Sequence, residues 1–204
     1  MSYVQFLQGS RLKAQSPKPK AEHMEIIKTS IEGLLIIKPD VFKDERGYFF
    51  ESYNKERFAK EGLVMNFVQD NESKSSKGVL RGLHFQEPPY AQGKLVRVVK
   101  GSVMDVAVDI RKNSPTYGKW ESRILSEENK EMFWIPEGFA HGFITLEDDT
   151  IFSYKCTNVY NKLSEGSLRW NDPDINIQWH FEAPILSDKD KISPSFKDFV
   201  TPFI

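Results

Sequence analysis

The feature that most limits the folds open to this chain is a succession of short β-forming runs, each closed by turn residues. They recur at about 8–12-residue intervals, the rhythm of a sandwich or barrel. The runs are Leu35–Ile37, Tyr48–Ser52, Phe67–Asp70, Val79–Phe85, Lys94–Val99, Val103–Asp109, Glu121–Leu125, Met132–Ile135, Phe143–Leu146 and Ile151–Thr157. Turn residues at 43–47, 100–101, 113–115 and 147–149 separate several of them. One short helix is expected over Lys55–Lys60, with Asn54 as N-cap and Gly62 as its stop. Many short strands and almost no helix give an all-β, antiparallel double-sheet barrel of the jelly-roll kind.

Composition agrees with one all-β domain. The 204 residues include 15 Phe, 7 Tyr and 4 Trp, residue types that favour sheet. A net charge of -1 provides no global basic field, so no nucleic-acid partner is expected. Cys156 is the single cysteine, which excludes an intramolecular disulfide framework and any cysteine-rich zinc site. A reduced, cytoplasmic setting is the simplest reading, and no apolar run is long enough for a transmembrane helix. Residues 1–23, polar and proline-interrupted over Gln15–Lys20, read as an expression leader. Met24 then starts the domain, 24–204.

The run Val103–Ile110 shows the alternation clearly. Met104, Val106, Val108 and Ile110 form one apolar face, while Val103, Asp105, Ala107 and Asp109 form the other. The second face either lines a barrel pocket or turns its acids to solvent.

The chemistry-bearing segment is Val79-Leu-Arg-Gly-Leu-His-Phe-Gln86, followed by Lys94 at the head of the next strand. Histidine is the side chain that ordinarily titrates near neutral pH. Held close to fixed cations, it suits abstraction of a proton next to a carbonyl, the cations stabilising the enolate. The bland alternative is a hydrogen-bonded structural histidine in a half-buried strand.

Other chemistries find less support. Trp134-Ile-Pro-Glu-Gly-Phe-Ala-His141 contains a Pro-x-Gly-x-x-His pattern that resembles the second signature of the cupin superfamily, whose histidine often ligates a metal. The stretch comparable to the first cupin signature reads His84-Phe85-Gln86, with one imidazole missing, so no bound metal is expected. Cys156 lies in an alternating strand and reads as a small core residue. The chain has no nucleophile elbow, dinucleotide fingerprint or P-loop.

The polar residues able to face a pocket are Arg46, Glu51, Gln69, Asn71, Arg81, His84, Lys94, Tyr154, Tyr160 and Asp190. Two guanidinium groups and a lysine suit a diphosphate. At these positions the chain resembles the dTDP-4-dehydrorhamnose 3,5-epimerase family. The likeness runs from about Met24 to Pro194. It includes Val41–Tyr53, Phe67–Asn71, Gly78–Gln86, Ala91–Arg97, Asp105–Lys112, Ser114–Trp120, Trp134–Phe143, Tyr154–Thr157, Trp170–Pro173 and Leu186–Asp190.

The resemblance implies a role for each position. His84 matches the catalytic base and Asp190 the aspartate that pairs with it. Lys94 matches the lysine near the keto oxygen, and Tyr154 the tyrosine that returns a proton from the opposite face. Arg81 and Gln69 match residues holding the diphosphate and sugar. Arg46, Glu51 and Asn71 match others around the nucleotide, and Tyr160 an aromatic near it. It further implies a cupin-like barrel, no cofactor, a dTDP-sugar substrate, and a homodimer with N-terminal strands exchanged. Each position has a plain rival: Arg46 and Glu51 as a surface pair, Asp190 as a helix cap, Tyr160 as strand packing. Three other functions remain open. They are a single-centre epimerase or ketoisomerase, a non-catalytic nucleotide-sugar binder, and a metal-dependent cupin oxygenase.

Overall fold

The structure is a computed structural model that describes residues 24–204, so the leader assigned to 1–23 lies outside it. Among the described residues there are thirteen strands. They are β1 (Glu25–Lys28), β2 (Leu35–Lys38), β3 (Phe42–Asp44), β4 (Gly47–Phe49), β5 (Gln69–Ser75), β6 (Leu80–Gln86) and β7 (Lys94–Lys100). After them come β8 (Ser102–Asp109), β9 (Trp120–Ser126), β10 (Met132–Ile135), β11 (Phe139–Thr145), β12 (Thr150–Cys156) and β13 (Glu165–Ser167). Helix α1 (Lys55–Lys60) follows β4, and α2 (Asp188–Lys191) lies near the C-terminus.

Two antiparallel sheets face each other. One has six strands in the order β1-β2-β10-β7-β12-β5, the other five in the order β13-β6-β11-β8-β9. This is the double-sheet jelly-roll barrel expected from the strand rhythm. β3 and β4 form a separate hairpin that joins neither sheet.

Three apolar clusters explain the layering. Val96, Val98, Phe133 and Phe152 of the larger sheet meet Val103, Ala107, Leu125 and Phe143 of the smaller one inside the barrel. Outside the smaller sheet, Met104, Val106, Val108 and Ile110 pack against Leu168, Ile175, Ile177 and Trp179 from the segment after β13. Outside the larger sheet, Ile37, Leu95 and Met132 are covered by Phe58 of α1 and by Met65. Burying a side chain of this size contributes about 1.5–3 kcal/mol.

The smaller sheet is therefore covered on both faces, and every residue of β8 and β11 is buried. This decides the alternative left open for the acidic face of β8. Asp105 and Asp109 point inward, each with 0% of its surface exposed. Asp109 accepts hydrogen bonds from Arg111 Nε (2.9 Å), Arg111 Nη2 (2.7 Å), Ser114 Oγ (2.6 Å) and Thr116 Oγ1 (2.6 Å). A buried carboxylate requires such donors. Helix α1 has the bounds its sequence implies, and the Asn54 side chain accepts from Arg57 N–H at 3.1 Å. Among the described residues no helix is long and apolar enough to cross a membrane.

Candidate active site

The centre of the site is His84 on β6, and an irregularity in that strand sets its direction. β6 pairs with β11 so that His84 faces His141 and Arg81 faces Phe143. Three steps along β6 thus match two along β11, a β-bulge. In a regular strand, residues three apart point to opposite faces. The extra residue turns Arg81 and His84 toward the same cavity. Gly82 makes this possible. Its φ is +139°, and a Cβ there would come 2.5 Å from Gly142 Cα on β11.

The cavity has a volume of about 420 Å³, and Arg81, His84, Lys94, Tyr154 and Asp190 all line it. An adjoining space of about 270 Å³ shares His84, Lys94 and Tyr154 and adds Gln69, Asn71 and Tyr160. Eight of the ten residues singled out in the sequence therefore surround one connected region. The other two do not. Arg46 sits on the β3–β4 hairpin with its side chain 85% exposed, paired with Asp44 at 2.5 Å. Glu51 pairs with Arg57 at 3.3 Å and accepts from Asn54 Nδ2 at 2.9 Å. Within one chain both lie apart from the cavity, Arg46 on a hairpin attached to neither barrel sheet and Glu51 against the start of α1.

His84 Nε2 lies 2.6 Å from Asp190 Oδ1. A carboxylate only accepts, so this ring nitrogen carries the hydrogen and the other holds the basic lone pair. Asp190 stands on α2, where Ser187 caps the helix and accepts from the Asp190 N–H at 3.2 Å. Burial alone would raise the Asp190 carboxyl. The hydrogen bond and charge of His84, with help from Ser187 and Lys189, hold it below the usual value instead. The dyad is thus a carboxylate aimed at an imidazole, an arrangement that fixes the ring's orientation and tautomer.

Lys94 opens β7, and its register partners are Ile135 on one side and Cys156 on the other. Burial pushes its ammonium below the ordinary lysine value, against the pull of Cys156, Asp105 and Glu165. A desolvated ammonium is both a strong electrostatic partner for a developing oxyanion and a better acid than an exposed one. The Tyr154 phenol on β12 is pushed up, mainly by burial and in part by Cys156, while Arg81 acts against the shift. It stays protonated and able to donate.

Several residues of the site escaped the sequence reading. His141 lines the cavity, and its Nε2 lies 3.0 Å from Asp105 Oδ2. Burial drives the His141 imidazole down and the Asp105 carboxyl up, each opposed by the other's charge. In the sequence His141 stands out only as part of the cupin-like Pro-x-Gly-x-x-His pattern, for which no metal is expected, and its place beside a buried carboxylate is not legible there. Glu165 on β13 forms an ion pair with Lys189 of α2 and accepts from Tyr160 Oη at 3.1 Å. Tyr160 N–H donates in turn to Gln69 Oε1 at 2.8 Å, and Gln69 Nε2 to Asn71 Oδ1 at 3.1 Å. Glu165 and Lys189 belong to no spacing pattern, so only the fold could bring them here.

The family model for dTDP-4-dehydrorhamnose 3,5-epimerase matches residues 28–198. The chain belongs to that family. The dTDP-4-dehydrorhamnose 3,5-epimerase of Shigella flexneri is 57% identical over 176 residues, covering 86% of this chain and 97% of that protein. Among solved structures, the epimerase of Elizabethkingia anophelis superposes with a TM-score of 0.82 at 54% identity, covering 87% of this chain and 98% of that one. That of Legionella pneumophila, solved in complex with dTDP-4-keto-L-rhamnose, gives 0.84 at 49% identity, covering 87% and 95%. The chain is thus similar to these epimerase structures over 87% of its length.

Proposed function

We propose that this protein is a cofactor-independent epimerase that inverts C3 and C5 of dTDP-4-dehydro-6-deoxy-D-glucose, giving dTDP-4-dehydro-L-rhamnose. One observation carries the reading. A histidine–carboxylate dyad, a desolvated ammonium and a half-buried phenol all border the same cavity.

In a 4-keto sugar both C3 and C5 flank the carbonyl, so one base serves both. His84 takes the proton. The C–H electron pair becomes the new C=C bond, and the carbonyl π pair moves to O4. Lys94 stabilises that oxyanion, and Asp190 stabilises the imidazolium. Tyr154 then protonates the opposite face of the carbon, the C=C pair forming the new C–H bond while the O4 pair re-forms the carbonyl, which inverts the centre. His84 gives its proton to solvent and the phenolate is reprotonated before the second centre reacts. A dry cavity strengthens each of these electrostatic effects. Arg81 would hold the diphosphate, with Gln69, Asn71 and Tyr160 around the rest of the nucleotide.

The proposal extends to a homodimer acting in the cytoplasm without nucleic-acid or membrane partners. The separate hairpin, with Tyr48 56% and Phe49 65% exposed, supports an arrangement in which Arg46 and Glu51 serve a neighbouring chain's cavity. Proton NMR of the protein with the 4-keto substrate in D₂O tests the reaction. Deuterium at both C3 and C5 is expected. One labelled position would indicate a single-centre epimerase, and none a binding protein.

A further inference from the structure

Strand β5 presents a row of polar side chains to the barrel. Gln69, Asn71 and Ser73 are half-buried and Ser75 is buried, while Asp70, Glu72 and Lys74 between them are exposed. Three members of this row have partners. Gln69 and Asn71 bond each other, Asn71 Nδ2 reaches Cys156 Sγ at 3.6 Å, and Ser75 Oγ accepts from Arg81 Nε at 3.2 Å and Arg81 Nη2 at 3.1 Å. Ser73 differs. Its hydroxyl is fully buried and is the one buried side-chain polar atom without a hydrogen-bond partner among the described residues. Ser73 also lines the cavity that holds His84, Lys94 and Tyr154. Leaving such a group unpaired costs about 1–3 kcal/mol, so an unsatisfied hydroxyl at a cavity wall marks a place where a ligand atom completes the bonding.

The neighbours indicate which atom. Ser73 and Ser75 are two residues apart on one strand face, a separation of about 7 Å. Ser75 anchors the Arg81 guanidinium, and no carboxylate pairs with that guanidinium among the described residues. An unneutralised guanidinium beside a free hydroxyl fits an anionic oxygen that accepts from both. A sugar hydroxyl would leave the guanidinium charge uncompensated.

We propose that Ser73 is a substrate-binding residue whose hydroxyl donates to a phosphate oxygen of the sugar nucleotide held by Arg81. This rests on the functional reading above and assigns a further contact within it. The row is complete except at Ser73, whose hydroxyl has no accessible surface as it stands, so a rotation about Cα–Cβ brings it into the cavity that the residue lines to meet the bound phosphate.

The test is titration calorimetry with dTDP and with thymidine, on the wild-type protein and on Ser73→Ala and Ser73→Thr. Ser73→Ala should weaken dTDP about tenfold or more, the usual scale for a hydrogen bond to a charged acceptor, and leave thymidine within about twofold. Ser73→Thr keeps the donor and should bind dTDP close to wild type, which separates a lost bond from a disturbed strand. If Ser73→Ala binds dTDP as well as wild type does, the assignment is overturned. Equal losses for dTDP and thymidine, or an equal loss in Ser73→Thr, would overturn it too. Failure of the wild-type protein to bind dTDP would instead bring down the functional reading, and the Ser73 assignment with it.

Discussion

Replacing Asp190 by Asn is the sharpest probe of the dyad. Asp190 is 2% exposed, and its carboxylate meets His84 Nε2 at 2.6 Å, a short charge-assisted contact. A hydrogen bond to a charged group contributes about 1.5–3 kcal/mol. At about 1.4 kcal/mol per factor of ten, losing it when His84 becomes cationic slows proton abstraction by about 10- to 150-fold. Asparagine is nearly isosteric, and the α2 cap uses only the backbone N–H of residue 190, so the fold is unaffected. A second effect adds to the first. If the asparagine nitrogen faces the ring, the imidazole must turn its lone pair outward from the cavity, and the base is in the wrong tautomer. The assay is the initial rate of deuterium incorporation into the 4-keto sugar in D₂O, read by NMR beside a dTDP titration. The expected result is a rate at least about tenfold lower with dTDP affinity unchanged. A rate within about threefold of wild type would refute the reasoning, as would a fall in dTDP affinity that matched the fall in rate.

Three further outcomes are expected. Lys94→Ala should reduce turnover by about 10²-fold or more, the scale for removing one oxyanion stabiliser, and a change below about threefold would take Lys94 out of the mechanism. Tyr154→Phe should uncouple exchange from inversion: His84 still washes deuterium into the substrate while formation of the L-sugar falls, and equal losses of both would exclude the phenol as the opposite-face donor. Burial raises the Asp109 carboxyl, but the bonds from Arg111, Ser114 and Thr116 outweigh it and hold the group below 3.8. Its contribution is therefore complete above about pH 3.8 and is lost as pH falls through the lower folded-state value. Thermal melts of Asp109→Asn should show about 2 kcal/mol less stability near neutrality, the scale of a lost hydrogen bond to a charged group, and a shallower acid decline than wild type, whereas parallel acid declines would contradict this.

How far the sequence disclosed the molecule differs from element to element. Met132–Ile135 and Lys55–Lys60 coincide with β10 and α1, because an apolar run and a capped segment are local signals. β11 was expected over Phe143–Leu146 but spans Phe139–Thr145. Gly138 and Gly142 depress β propensity there, and the need for a small residue at 142 comes from the Arg81 carbonyl and Gly82 on another strand. β1, β3 and β13 have four, three and three residues, too few for alternation to register. In the site, His84, Lys94 and Tyr154 stand on strands whose pattern was readable. Asp105 is ambiguous in the sequence because either face of β8 could be the exposed one, and only the C-terminal segment packed on the apolar face turns the acidic face into the barrel. Ser73, Glu165 and Lys189 are ordinary residue types in ordinary places, and their proximity to the cavity is a property of tertiary structure alone.

The odd spacing between Arg81 and His84 has a consequence for anyone altering or transplanting this site. The two groups converge only while β6 runs one residue out of phase with its neighbour. Regularising the ladder while keeping the three-residue separation, as by adding one residue to the facing stretch of β11, would leave a sound barrel whose anion holder and base look in opposite directions. A host strand without such a defect would need the pair an even number of positions apart. What passes for a flaw in the ladder is therefore the part of the scaffold that cannot be tidied away.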